Sequence, residues 1–218
     1  MVRIAVLGGS RGCARAMVVQ GLDKYQFKLL VRNPDNIEYD EQQKSKLTLI
    51  KGDAMDPVAV RQLLEDVDVV VSSIGSTIDI KTGKMAVPNL CSNSMKVLLE
   101  VIEEMKKSRP QRLVVVSSTG LDDSGDVPCL FRPMYKYLLH EPHEDKREME
   151  KMVINQNVIP DWILVRPSFL KNGKVTGKYR AGENLCGYLV NREDVGHFLL
   201  NQCIEQDEFL QKKVVVTN

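Results

Sequence analysis

The chain has 218 residues, 43% of them hydrophobic and 27% charged, which is the composition of an ordinary soluble globule long enough for one large domain. Thirty Lys and Arg against 29 Asp and Glu leave a net charge of +1, so no whole-molecule field favours nucleic acid or an anionic membrane; no run reaches the roughly 20 apolar residues that span a bilayer. The five cysteines, at 13, 91, 129, 186 and 203, share no metal-ligand spacing, and no secretory apolar segment follows Met1, so reduced thiols, no metal and a cytoplasmic setting are expected.

Apart from Arg3, residues 2 to 7 are an almost continuous apolar run rich in β-branched side chains, which suits a strand buried on both faces of a parallel sheet. Glycines at 8, 9 and 12 then let the backbone turn and approach a ligand closely. Residues 13 to 21 continue as a helix with Ala14, Met17 and Val18 on one face. The free N–H groups and dipole of such a helix start suit a pyrophosphate, so the stretch reads as a dinucleotide-binding start. Its pattern is G-x-x-x-G-x-A, carried by Gly8, Gly12 and Ala14, in place of G-x-G-x-x-G. Cys13 stands where a thiolate would be favoured, but a small side chain packed beside the phosphates is its expected role.

Residues 26 to 32 form the second strand, ending at Arg32. In this architecture an acidic residue there reads a ribose 2′-hydroxyl, whereas an arginine pairs with a 2′-phosphate. Arg32, with Arg11 in the glycine loop, therefore favours NADPH over NADH. A third strand, 46 to 51, leads through Gly52, Asp53 and Ala54 to a helix at about 57 to 65. Asp53 is placed for an adenine amino group, and both Asp53 and Asp56 are placed to cap that helix. The fourth strand, 68 to 72, ends at Ile74 and Gly75, beside the pyrophosphate and nearer ribose.

A polar loop at 76 to 88 precedes a helix over 89 to 107, whose Leu90, Val97, Leu98, Val101, Ile102 and Met105 form a core stripe. The fifth strand is 112 to 117, with Ser118 at its carboxyl end. Residues 120 to 142 have no clear period and read as a substrate loop with a short helix at 131 to 139. A helix at 143 to 155, a strand at 161 to 166, a ligand-side loop from Pro167, an excursion of short strands over 171 to 190, a helix from 191 to about 205 and a strand at 213 to 217 complete the chain. Lys171, Lys174, Lys178 and Arg180 are expected on a solvated hairpin face. The alternation predicts an α/β class: a doubly wound parallel sheet, or Rossmann fold, of about seven strands with helices on both faces. It forms one domain over 1 to 218, with substrate-side loops at 120 to 142 and 167 to 190.

The segments IAVLGGSRG, LVRNP, KGDAMDP, VVVSSIGST, VVVSSTG, ILVRPSFL and NREDVGHFLL, spread over essentially the whole chain, resemble the atypical, NmrA-like branch of the short-chain dehydrogenase/reductase superfamily, closest to its small biliverdin reductase B and flavin reductase type. The resemblance implies NAD(P)H binding, with Gly8, Ser10, Arg11, Gly12, Cys13, Arg32, Asp53, Ala54, Ile74 and Gly75 lining the cofactor. It places Val116, Ser118, Ser168 and Phe169 near the nicotinamide and substrate.

Ordinary members of that superfamily carry a Y-x-x-x-K pair. Lys146, four residues before Glu150, matches the lysine and its usual following glutamate, but Pro142 occupies the tyrosine position and no Y-x-x-x-K occurs anywhere. Tyr135 and Tyr137 are the candidates to swing in from the preceding loop, and His143 is expected at a helix start or on the surface. Reducing a simple ketone requires a proton from a tuned acid. A flavin, quinone or tetrapyrrole spreads the added charge and takes its proton from water. The expected function is thus an NADPH-dependent reductase of a small conjugated or carbonyl acceptor, with Ser118 orienting the acceptor and Lys146 anchoring the ribose or an acidic group. A non-catalytic NADP(H) sensor or scaffold is the alternative, and only the reductase needs open space over the nicotinamide, framed by 120 to 140, 167 to 172 and 182 to 190. The expected partner is a small-molecule acceptor, with no nucleic acid or membrane, for a monomer or homodimer.

Overall fold

The computed structural model describes residues 1–77, 79, 82, 84–106 and 108–218. Its strands are β1 (Arg3–Leu7), β2 (Gln26–Val31), β3 (Leu47–Lys51), β4 (Val69–Ser72), β5 (Arg112–Val116), β6 (Asp161–Pro167), β7 (Phe169–Lys171), β8 (Arg180–Gly182), β9 (Leu189–Asn191) and β10 (Lys212–Thr217). Eight of them form one sheet in the order β3-β2-β1-β4-β5-β6-β10-β8. The seven expected strands are all present and mutually parallel. The eighth, β8, comes from the 171 to 190 excursion and pairs antiparallel with β10 at the sheet edge. β7 and β9 pair parallel as a separate two-stranded ribbon.

Strand order reverses between β1 and β4, and ligands of open α/β sheets bind above the carboxyl ends at such a switch point. Side chains alternate across the sheet as strand geometry requires. Ile4, Val6, Val114, Val116, Ile163 and Val165 pack with α1 (Gly12–Gly21) and α7 (Arg192–Phe198). Ala5, Leu7, Leu113, Val115 and Leu164 pack on the other face with α3 (Pro57–Leu64), α4 (Leu90–Glu104) and α6 (His140–Asn155). Gly196 lets α7 lie directly on α1, since a Cβ there would stand 2.6 Å from the backbone nitrogen of Met17.

The remaining helices are α2 (Glu41–Lys44) and α5 (Arg132–Tyr137). α2 was not expected: it buries no residue and is held by a capping box between Asp40 and Gln43, so it leaves no apolar period to read. The helix expected at 131 to 139 is a 3-10 turn, Cys129–Phe131, running into α5. α6 starts three residues before its expected beginning because Pro142 falls in its first turn, where no backbone donor is missed. Of the expected segments, residue 107 and residues 78, 80, 81 and 83 of the polar loop lie outside the described residues. α7 continues to the expected end as wider π turns over Leu199–Ile204. Arg112 Nη1 donates to the carbonyls of Cys203, Ile204 and Gln206 at that end.

Glu150, the residue matched to the glutamate that follows the lysine, faces away from the carboxyl-end crevice into a buried charge cluster. Arg166 of β6 donates to Glu150 Oε1 and Oε2 at 3.0 and 2.6 Å and to Asp122 Oδ2 at 2.9 Å. Asp126 Oδ2 lies 3.8 Å from Arg166 Nη1, and its Oδ1 accepts from the Gly120 N–H at 3.0 Å. The cluster therefore ties the loop after β5 to β6 and α6. Removing one partner of a buried ion pair strands the other charge. Glu150→Ala is expected to lower unfolding stability in urea by about 3 kcal/mol, with the 120 to 128 loop losing amide-exchange protection before the sheet does.

Candidate functional site

A cleft of about 800 Å³ crosses the carboxyl ends of the sheet and is lined by the residues expected beside the cofactor together with Ser118 and Lys146. Gly8, Ser10, Arg11, Gly12 and Cys13 enter from the β1–α1 turn, Arg32 from the end of β2, Asp53 and Ala54 from the end of β3, and Ile74 and Gly75 from the end of β4. Val116 enters from the end of β5 and Ser118 from just after it, Lys146 from α6, Ser168 from just after β6 and Phe169 from the start of β7.

At one end the cleft is built of backbone. Gly8 has φ +78°, and a Cβ there would stand 2.5 Å from the Ser73 carbonyl oxygen, so the turn touches the end of β4 only as glycine. Arg11, in extended backbone, is the N-cap of α1 but gives no side-chain cap, and no acidic residue stands in the first turn. The leading N–H groups are thus without the side-chain acceptors that usually satisfy them. α3 differs: Asp56 caps it by accepting from Val58 N–H at 3.0 Å. Asp53 instead closes its own turn, accepting from Met55 N–H at 2.9 Å, so the two carboxylates divide the roles that the sequence offered to both.

Tyr39 donates to the Gly9 carbonyl at 2.6 Å, and Arg15 lies over the Tyr39 ring at 5.4 Å while donating to the Glu38 carbonyl, pinning the segment after β2 against the glycine turn. Arg11 and Arg32 are exposed and form no ion pair among the described residues. Cys13 is buried and its thiol is pushed up to about 12 by that burial, with Arg192 and Lys146 opposing. It is a neutral, small packing residue rather than a thiolate.

At the other end the cleft is built of side chains. Lys146 Nζ donates to the Val116 carbonyl at 3.2 Å, which fixes the half-buried ammonium at the tip of β5. The preceding residue, Asp145, accepts from the N–H groups of Cys91 and Ser92, both at 2.8 Å, and so satisfies the start of α4. Tyr135 reaches the cleft from α5, its hydroxyl 3.3 Å from Thr119 Oγ1. Its ring is seated against Gly120 (φ +79°), where a Cβ would meet Tyr135 Cδ1 at 2.2 Å, and stands 5.3 Å from the His143 ring. Tyr137, the other candidate, is exposed and does not line the cleft. The hydroxyls of Ser117 and Ser168 are buried without a hydrogen-bond partner, and both residues line the cleft.

His143 lies in the first turn of α6, one of the two places expected for it, and is 3% exposed because the Tyr135 ring and the 120 loop cover it. One expectation is corrected. Residues 182 to 190 do not line the cleft, because β8 is drawn onto β10 and Gly187 packs on Thr217, where a Cβ would approach Oγ1 to 1.8 Å. Asn172, at the end of the expected 167 to 172 frame, lines the cleft, as do Arg192 and Glu38, which were not anticipated. Arg192 Nη1 donates to Asn172 Oδ1 at 2.8 Å and the Leu170 carbonyl at 3.4 Å, fastening the β7–β9 ribbon to α7. Its segment reads as a helix start, and nothing in that pattern marks a cleft residue.

Residues 8–206 match the NAD(P)H-binding family model. The chain belongs to the NAD(P)H-binding family. Across 98% of its length it is 26% identical to "Reductase pytE" of Aspergillus terreus, of which it covers 97%. Two solved structures share the Rossmann fold. One is a short-chain dehydrogenase/reductase of Veillonella parvula in complex with NADP (TM-score 0.74, 18% identity, 100% of this chain and 94% of that one). The other is ChuY, an anaerobillin reductase of Escherichia coli O157:H7 (TM-score 0.74, 18% identity, 99% and 97% covered).

The residues present fit the cofactor of this NAD(P)H-binding family. The glycine approach at Gly8 and the bare start of α1 make an anion cradle, and two exposed, unpaired guanidinium groups stand beside it. Among the described residues no helix is long and apolar enough to cross a membrane.

Burial, with Arg147 and Lys146 nearby, lowers the His143 pKa from 6.5 to about 4, and a hydrogen bond with the Gly120 backbone works the other way. The unfolded chain therefore binds a proton that the folded one refuses as pH falls through this window. Stability is expected to drop on the order of 3 kcal/mol between pH 6.5 and 4 from this residue alone. Urea titrations of wild type and His143→Gln at several pH values check it: that part of the slope should vanish in the variant.

Proposed function

We propose that the chain is an NADPH-dependent oxidoreductase that passes a hydride to a small conjugated or carbonyl acceptor of the flavin or quinone kind, working in the cytoplasm as a monomer or homodimer. The observation that carries this reading is the extent of the cleft. It runs on from the anion cradle to Tyr135, Leu139, Ser118, Lys146 and Phe169, so the lined space extends along the strand tips to where the reductase reading seats the acceptor. The reductase names of pytE and ChuY support the same class of chemistry.

In this reading the N–H groups at the start of α1 hold the pyrophosphate, and Arg11 and Arg32 pair with the 2′-phosphate. The Asp53 oxygen not used in its turn accepts from the adenine amino group, with Ala54, Ile74 and Gly75 giving flat backbone beside it. Lys146, held on the Val116 carbonyl, orients the nearer ribose. Ser168 and Phe169 close the nicotinamide end. NADPH, when bound, supplies the hydride.

Ser118 aims the acceptor, and Tyr135 offers a flat wall and a hydroxyl. Burial raises the Tyr135 pKa, so the phenol stays protonated, and the ring tilted against it is a neutral histidine rather than a cation. Among the described residues the Tyr135 phenol is hydrogen-bonded to the Thr119 hydroxyl and to no cation that would tune it as an acid for an alkoxide. That favours acceptors that spread charge and are protonated by water: a quinone becomes a hydroquinone by one hydride and one proton while NADPH becomes NADP⁺.

NADPH oxidation followed by absorbance, with flavin, quinone, tetrapyrrole and simple aldehyde acceptors in parallel, tests the reading. Turnover is expected with the conjugated acceptors. NADPH binding without any turnover would replace the reductase by an NADP(H) sensor.

Two results should accompany it. Arg11→Ala with Arg32→Ala is expected to weaken NADPH binding at least about tenfold while leaving NADH binding nearly unchanged, as loss of charge-assisted bonds to one phosphate requires. Ser118→Ala and Lys146→Ala are each expected to cut kcat/KM roughly tenfold or more, whereas Tyr135→Phe keeps kcat within about threefold because the proton comes from water.

A further inference from the structure

The acceptor end of the cleft opens onto an apolar track that hydride transfer itself does not require. Phe169 belongs to both: it lines the cleft and is 51% exposed. In the β7–β9 ribbon it pairs in register with Leu189, 41% exposed, and its N–H donates to the Tyr188 carbonyl at 3.2 Å. Tyr188, 57% exposed, packs edge-on against Phe131, ring centroids 5.7 Å apart. Phe131 ends the 3-10 turn that leads into α5, the helix carrying Tyr135, and Leu130 in that turn is 80% exposed.

Among the described residues the three exposed aromatic side chains are Tyr137, Phe169 and Tyr188, all on these two segments. Single exposed apolar residues are ordinary, but contiguous ones at the mouth of a cleft mark a contact surface. The track is also fixed in place: Arg192 holds the ribbon through the Leu170 carbonyl and Asn172.

We propose that this track receives an apolar tail carried by the acceptor, so that the preferred substrates are amphiphilic quinones whose planar head enters the cleft and whose alkyl or prenyl chain lies along Phe169, Leu189, Tyr188 and Phe131. The proposal rests on the reductase reading. Continuity decides the occupant: a molecule whose head sits beside Ser118 and Tyr135 leaves the cleft past Phe169, and the next surfaces it meets are Leu189 and Tyr188. Leu189 and Tyr188 do not line the cleft, so they affect the tail and not the chemistry.

The test compares two quinones with the same ring substituents, one without a tail and one with a decyl tail. Affinity is measured by calorimetry on the NADP⁺-loaded protein and turnover by NADPH oxidation. Each fully buried methylene is worth about fourfold in affinity, so two or three of them in contact should lower Kd by about 15-fold to 60-fold, with kcat equal for the two quinones within about twofold. In Tyr188→Ser/Leu189→Ser the tail advantage should disappear while kcat/KM for the tail-less quinone is unchanged.

Equal Kd values for the two quinones, both turned over, would overturn the track and leave the reductase standing. A tail advantage undiminished in the double variant would also overturn it, as would a dimer in sedimentation that the double variant dissociates, since a second copy would then cover the surface. If NADPH binds and neither quinone nor any other acceptor is reduced, the reductase reading itself fails.

Discussion

The close approach of the β1–α1 turn to the end of β4 is the constraint on which the site depends. Between these strands the winding of the sheet reverses, and Gly8 sits there against the Ser73 carbonyl with no room for a Cβ. Because the turn is this tight, α1 starts directly above the crevice, and its leading N–H groups have neither a capping side chain nor a neighbouring acid. Surrounding contacts hold the turn without filling it. Tyr39 takes the Gly9 carbonyl from one side, and Gly196 lets α7 press on α1 from the other. The arrangement leaves donors open for an anion and keeps backbone, rather than side chains, at the surface that meets it.

The other half of the cleft is held by charge instead of backbone approach. A buried guanidinium is tolerated only when its partners are in place, and Arg166 takes them from α6 and from the loop after β5. Fixing that loop fixes Thr119 and Gly120, and these seat the Tyr135 ring. α6 serves several neighbours within eight residues of sequence: His143 under the tyrosine, Asp145 at the start of α4, Lys146 at the tip of β5 and Glu150 on Arg166. Its apolar residues Met149 and Val153 pack in the core beneath. A helix so committed holds its lysine in place, which suits the orienting role proposed for Lys146.

The strands and the glycine turn were legible because apolar run length and glycine placement are local signals. The residues expected beside the cofactor line the cleft because they lie at or just after the carboxyl ends of strands, whereas Lys146 reaches it from α6. What was illegible depended on contacts between distant segments. The burial of His143 requires Tyr135 to fold over it, and neither residue lies in an apolar period. Arg192 enters the cleft only because the β7–β9 ribbon lies beside the start of α7, a pairing of three-residue strands too short to carry an alternation. β8 was drawn to the sheet edge by β10 and Gly187, which removed 182 to 190 from the cleft it was expected to frame. α2 shows the opposite limit: its signal is a capping box, which marks an end but no face.

The absence of Y-x-x-x-K takes its physical meaning from Pro142. Proline is tolerated in the first turn of α6, so the position four residues before Lys146 carries no hydroxyl, and the phenol comes from the preceding helix. A tyrosine arriving that way rests on a glycine, a threonine hydroxyl and a neutral imidazole, each of which orients the ring and none of which brings a positive charge to lower its pKa. Lys146, the cation of α6 that lines the cleft, spends a hydrogen bond on the Val116 carbonyl. Orientation has thus been separated from acidity, and a cleft built this way suits a planar acceptor that needs to be held flat and does not need to be protonated by the protein.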